Sequence, residues 1–103
     1  MPGRLIDLNA DIGEGCGDDD ALLQCVSSAS IACGGHAGDA QSMRAALRAC
    51  RRLGVAAGAH PGYADREHFG RRALDLPPVL LQRQLREQIE ALDRIAREEG
   101  VVL

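Results

Sequence analysis

Two segments of this chain, residues 31–39 (IACGGHAGD) and 55–65 (VAAGAHPGYAD), each run small apolar residues into a histidine, then a glycine, then an aspartate. A short apolar run that empties into a glycine-containing loop is the pattern of a buried parallel strand, and this one is used twice. Ahead of both, RLIDLNA (4–10) has the same character and opens into the glycine- and acid-rich loop DIGEGCGDDD. The expected strands are therefore RLIDLNA, SSASIAC and VAAGA, with VVL at 101–103 opening a fourth.

Helical segments fall between them. Asp18 to Asp20 place negative charge before ALLQCV, where a helix N-terminus favours it. DAQSMRAALRACRRLG has Asp39 as N-cap, Met43, Ala46, Leu47 and Cys50 at helical spacing, and Gly54 as the stop. The last helix starts at the prolines of 77–78 and runs to Gly100, with Leu81, Leu85, Ile89, Leu92, Ile95 and Ala96 on one face. The order β-α-β-α-β-α-β predicts parallel strands joined by right-handed crossover helices. Three strands and a stub leave open edges, so the expectation is an α/β fold, one domain over 1–103, forming an incomplete (β/α) barrel truncated after about the start of its fourth strand. Such edges also allow homo-oligomers by edge pairing.

Composition narrows the function. A net charge of -3 gives no broad basic surface, which argues against nucleic acid. No apolar run approaches a membrane span, and the N-terminus lacks a secretory signal, so the expected location is cytoplasmic. Cys16, Cys25, Cys33 and Cys50 form no CxxC pair and are read as small buried residues in a reducing compartment. GEGCG lacks the lysine and hydroxyl of a phosphate loop.

In parallel α/β proteins the loops at the strands' carboxyl ends share one cavity. Asp11 and Glu14 follow the first strand, His36 and Asp39 the second, His60 and Asp65 the third. Imidazole supplies a proton carrier or ligand near neutral pH, and a carboxylate orients it or caps the next helix. Asp39 fits the cap role better than a catalytic one, and His68 is read as surface. Arg71 and Arg72 can grip a carboxylate or phosphate, and are equally readable as solvated arginines. Tyr63 and Phe69 are the rings available to cover a ligand.

DLNADIGEG, SASIACGGHAGD, GVAAGAHPGYAD and FGRR, in this order, resemble the LamB/YcsF family, which includes the A subunit of bacterial ATP-dependent 5-oxoprolinase. The resemblance implies a barrel of the glycoside hydrolase/deacetylase type. It also implies ATP-driven opening of the 5-oxo-L-proline lactam to L-glutamate with two partner subunits. Carried onto this chain, the motif positions are Asn9, Asp11, Glu14, His36, Asp39, His60, Asp65, Arg71 and Arg72. The resulting expectation makes Asp11, Glu14, His36 and His60 catalytic, and Asn9, Asp39, Asp65, Arg71 and Arg72 substrate-binding. The chain departs from the pattern at Cys16 and Gly35, where aromatics are common, at Ser30 for asparagine and at Ala64 for proline. Two rival functions use the same residues: a metal-dependent amide or N-acetyl hydrolase holding a divalent ion on Asp11, His36 and His60, and a non-catalytic scaffold subunit. The short chain by itself is expected to be an inactive fragment.

Overall fold

The computed structural model describes residues 5–15, 17–72 and 74–103. The element order is β1 (Asn9–Ile12), α1 (Asp19–Leu23), β2 (Ser28–Ala32), α2 (Ala40–Leu53), β3 (Ala56–His60) and α3 (Pro78–Glu98). The three strands form one parallel sheet in the order β1-β2-β3. The α/β class and the crossover helices are as expected, and the sheet is compatible with part of a barrel.

Register explains the division of labour between the two faces of the sheet. Ile12 and Ile31 are aligned neighbours, and both are fully buried with Ala29, Leu47, Cys50 and Leu92. Each Leu contributes about 1.5–3 kcal/mol by burial. Side chains alternate along a strand, so Asn9, Asp11, Ser28 and Ser30 face the other way. That face is polar: Asn9 Nδ2 donates to Ser28 Oγ at 2.9 Å, and Ser30 Oγ donates to Asn9 Oδ1 at 3.0 Å.

α2 keeps the termini read from its sequence. Asp39 accepts from Ser42 N–H at 2.7 Å, the Ser42 hydroxyl accepts from Asp39 N–H in return, and Gly54 closes the helix in the left-handed region at φ 69°. α2 is stitched to α3 by Arg44 and Arg48, which both pair with Glu99 at 2.6 Å.

Four expectations are corrected. β1 begins at Asn9, not within the apolar run before it, and Leu5, Ile6 and Leu8 are exposed. Pairing starts only where the Leu8 carbonyl accepts from Ser27 and Ser28, so the residues before it have no ladder to join. Val101–Leu103 is not a strand among the described residues and does not pair with the open edge of β3. On α3 the apolar stripe divides: Leu92, Ile95 and Ala96 are buried, Leu81 and Leu85 line a cavity, Ile89 is exposed, and Gln88 is buried in its place. Cys33 and Cys50 are buried but Cys25 is exposed, and Cys16 lies outside the described residues. None of the helices, among the described residues, is long and apolar enough to cross a membrane.

Candidate active site

The carboxyl ends of the three strands open into a cavity of about 530 Å³ lined by Asp11, Glu14, His36, His60, Arg71 and the apolar residues Pro61, Phe69, Leu81 and Leu85. Asp11 lies on the polar face of β1, level with Ser30 and Gly58 across the sheet. His60 is the last residue of β3 itself, aligned with Ala32, so its ring stands one step further along that face. Glu14 and His36 come from the loops after β1 and β2.

Glu14 is the centre of the arrangement. Its Oε2 lies 2.8 Å from His36 Nε2 and 3.5 Å from His60 Nδ1, and Asp11 Oδ1 lies 3.6 Å from the same His60 nitrogen. One carboxylate oxygen thus stands between two imidazoles whose ring centroids are 4.6 Å apart. His36 is 4% exposed and its Nδ1 has no hydrogen-bond partner among the described residues. A neutral ring carrying its proton on Nε2 satisfies Glu14 and leaves no buried N–H without an acceptor. His60 is more open, at 34% side-chain exposure, and is the imidazole a ligand reaches first.

The neighbourhood of His36 is built from glycine. A Cβ on Gly62 would fall 2.6 Å from His36 Nδ1, and a Cβ on Gly70 would fall 2.6 Å from His36 Cβ. Gly70 also has φ 72°, and the preceding Phe69 takes the left-handed region at φ 59°, a conformation that costs a non-glycine residue energy and is found at functional loops. Phe69 uses that conformation to set its ring edge-on to His36 at 5.7 Å and to support the Arg71 guanidinium at 5.7 Å.

The remaining residues singled out from the sequence have other partners. Asp65 is buried, with Oδ1 3.2 Å from His68 Nδ1 and Oδ2 3.1 Å from Arg72 Nε. Burial works to raise its pKa, yet the His68 hydrogen bond and the Arg72 charge outweigh it and hold the carboxyl below its ordinary value. Asp65 and Arg72 therefore engage each other outside the cavity lining, and only Arg71 of the arginine pair faces the cavity. His68 is at the surface, as expected, though bound to Asp65. Asp39 is the α2 cap, with its pKa lowered by the Ser42 backbone hydrogen bond. Asn9 sits below the site in the strand-face network. Burial pushes the Cys33 thiol up, which leaves it a poor nucleophile.

Two further residues, absent from the sequence motifs, shape the site. Arg66 donates to Gly34 O at 3.1 Å and Gly38 O at 2.6 Å, pinning both ends of the His36 loop. Gln88 binds Gly62 from α3. An arginine in a charged loop carries no sequence signal for this, whereas Gln88 shares the spacing of Leu92, Ile95 and Ala96 and is a polar residue on an apolar stripe.

For a metal, the group among the described residues whose ligand atoms all lie within 4.8 Å of one another is Glu14, His36 and His60; Asp11, expected in that role, is not among the three. Two imidazoles and a carboxylate suit a divalent ion such as zinc. Against it, a ligating imidazole ordinarily donates its other N–H to an acceptor, and His36 Nδ1 has none among the described residues.

The solved structure of a lactam utilization protein from Thermus thermophilus matches with a TM-score of 0.94 at 40% sequence identity, covering 97% of this chain and 42% of that one. This chain thus spans less than half the length of that relative. The LamB/YcsF family profile matches residues 6–103, which takes in every residue of the cavity, and the chain belongs to the LamB/YcsF family.

Proposed function

We propose that this cavity takes 5-oxo-L-proline and contributes the proton-handling groups that open its lactam to L-glutamate, as the A-type subunit of an ATP-dependent 5-oxoprolinase acting with two partner subunits. The observation that carries the reading is the shared Glu14 carboxylate, 2.8 Å from His36 and 3.5 Å from His60, at the wall of a cavity that also holds a guanidinium. Membership of the family and the likeness to a lactam utilization protein support the substrate class.

The substrate has three parts, and the lining offers a match for each. Arg71 receives the carboxylate. Leu81, Leu85 and Pro61 receive the ring methylenes. The lactam carbonyl and nitrogen then point to His60, Asp11 and Glu14. His60 takes a proton from the attacking water and returns one to the departing ring nitrogen, while the oxygen of that water bonds to the carbonyl carbon and the C–N bond breaks. Glu14 holds His36 in one tautomer and stabilises positive charge as it forms on either ring.

ATP would activate the lactam by phosphorylating its carbonyl oxygen, which makes the carbon more open to water. Once the C–N bond has broken, a second water would release phosphate from the resulting acyl phosphate and leave the free carboxylate. The chain contains no lysine, and Arg71 is the guanidinium of the described cavity lining. These residues do not fit a triphosphate, so nucleotide binding is assigned to other parts of the assembly.

The test is glutamate release from 5-oxoproline by the full-length protein with its partners and ATP. His60→Ala should cut turnover at least about a hundredfold if His60 is the general acid–base group. Unchanged turnover removes it from the mechanism. A second reading, a metal-dependent amide hydrolase, is favoured by the Glu14, His36 and His60 convergence. On that reading a divalent ion held there would polarise an amide carbonyl and activate water, and the untagged protein would retain a stoichiometric ion without ATP.

A further inference from the structure

Gln88 lies on the buried face of α3, 8% exposed, where a hydrocarbon side chain would serve packing equally well. A buried amide is costly unless its donor and acceptor are both met. Here one residue meets both: Gly62 N–H donates to Gln88 Oε1 at 3.0 Å, and Gln88 Nε2 donates to Gly62 O at 2.8 Å. The pair acts on Gly62 as a neighbouring strand would, fixing its N–H and C=O together. On its other side the same amide abuts Gly35, where a Cβ would lie 2.5 Å from Gln88 Oε1.

Those two glycines are the backbone next to the histidines. Gly35 precedes His36, and Gly62 follows His60 by two residues while lying against His36 Nδ1. A single side chain from α3 is thus wedged between both histidine-bearing loops. We infer that Gln88 is a positioning residue for His36: it holds Gly62 against the imidazole and so sets the ring at its 2.8 Å distance from Glu14. The consequence for catalysis rests on the reading of Glu14 and His36 given above. The geometric role does not.

The experiment uses the full-length protein with Gln88→Leu, which keeps volume and loses both hydrogen bonds. The second variant, Gln88→Glu, keeps the shape and the acceptor for Gly62 N–H but sets a carboxylate against Gly62 O. Imidazole ¹⁵N signals should show one Nε2–H tautomer for His36 in the parent and a mixture in both variants. Lactam-opening kcat should fall about tenfold to a hundredfold with KM little changed, the scale of misplacing a reacting group by about 1 Å. In a Glu14→Gln background the same substitution should cost nothing further, because the two act through one ring.

Unchanged His36 signals in both variants overturn the inference, as does a loss of kcat of equal size in the Glu14→Gln background. Should Gln88→Leu fail to fold, Gln88→Glu carries the same comparison with the same expected direction. If His36→Ala leaves turnover intact while Gln88→Leu still shifts the His36 nitrogens, the proposed catalytic role of His36 fails and the positioning stands.

Discussion

Substituting Gly70 by alanine tests whether His36 is held by close backbone packing. Gly70 has φ 72° and Gly54, at the end of α2, has φ 69°, so an alanine meets the same left-handed strain at both. That strain costs roughly 1–2 kcal/mol. The surroundings differ: an added Cβ at Gly54 meets nothing within 4 Å, whereas at Gly70 it falls 2.6 Å from His36 Cβ. The clash is with the root of the side chain, so rotating the ring does not relieve it and either the loop or the histidine must move. Overpacking of this kind costs about 1–3 kcal/mol. Because the backbone strain cancels, the difference between Gly70→Ala and Gly54→Ala isolates the clash. Urea denaturation of the full-length protein should place Gly70→Ala below Gly54→Ala by about 1–3 kcal/mol. Gly70→Ala should also lose turnover while Gly54→Ala keeps it. Equal stabilities within about 0.5 kcal/mol would refute the claim that Gly70 is there to admit His36.

Arg71 and Arg72 should separate cleanly. Arg71→Ala should raise the KM for 5-oxoproline about tenfold to a hundredfold with kcat retained, since a charge-assisted hydrogen bond is worth roughly 1.5–3 kcal/mol. Arg72→Ala should lower stability through Asp65 and leave KM unchanged. Asp65 also sets a pH dependence. Its folded pKa lies below its ordinary value of 3.8, so the native state binds fewer protons than the unfolded chain as acid is added. Its contribution to stability is therefore complete above the unfolded carboxylate pKa and is lost as pH falls through the folded value. Asp65→Asn should be less stable than the parent at about pH 6, and the gap should narrow only as pH falls below the ordinary carboxylate value of 3.8 toward the lower folded one.

Much of this architecture is legible in the sequence alone, and the reasons are local. α2 carries its own start and stop in Asp39, Ser42 and Gly54, and its buried stripe in Met43, Ala46, Leu47 and Cys50. That the two histidines line one cavity is legible because His36 follows β2 and His60 ends β3, both strands of small residues, and parallel strands empty in one direction. What is hidden depends on contacts distant in sequence. The start of β1 is misjudged because an apolar run becomes a strand only where a neighbour pairs with it, and that begins at Leu8. Asp11 is expected to complete a metal set, whereas Glu14 reaches His36 across 22 positions of sequence. Adjacent arginines look alike in a sequence; the turn through Phe69 and Gly70 sends one to the cavity and the other to Asp65. Gln88 is hidden because helical spacing draws the apolar stripe through Ile89 instead, and its partner Gly62 lies 26 residues away.

The most direct test of a single lactam cavity shared by both histidines is to titrate the full-length protein with 5-oxo-L-proline while following the imidazole ¹⁵N signals. His36 and His60 should shift along one common binding curve, and Arg71→Ala should weaken both shifts by the same factor. Binding that leaves both rings unmoved, or two curves with different midpoints, would contradict a shared site.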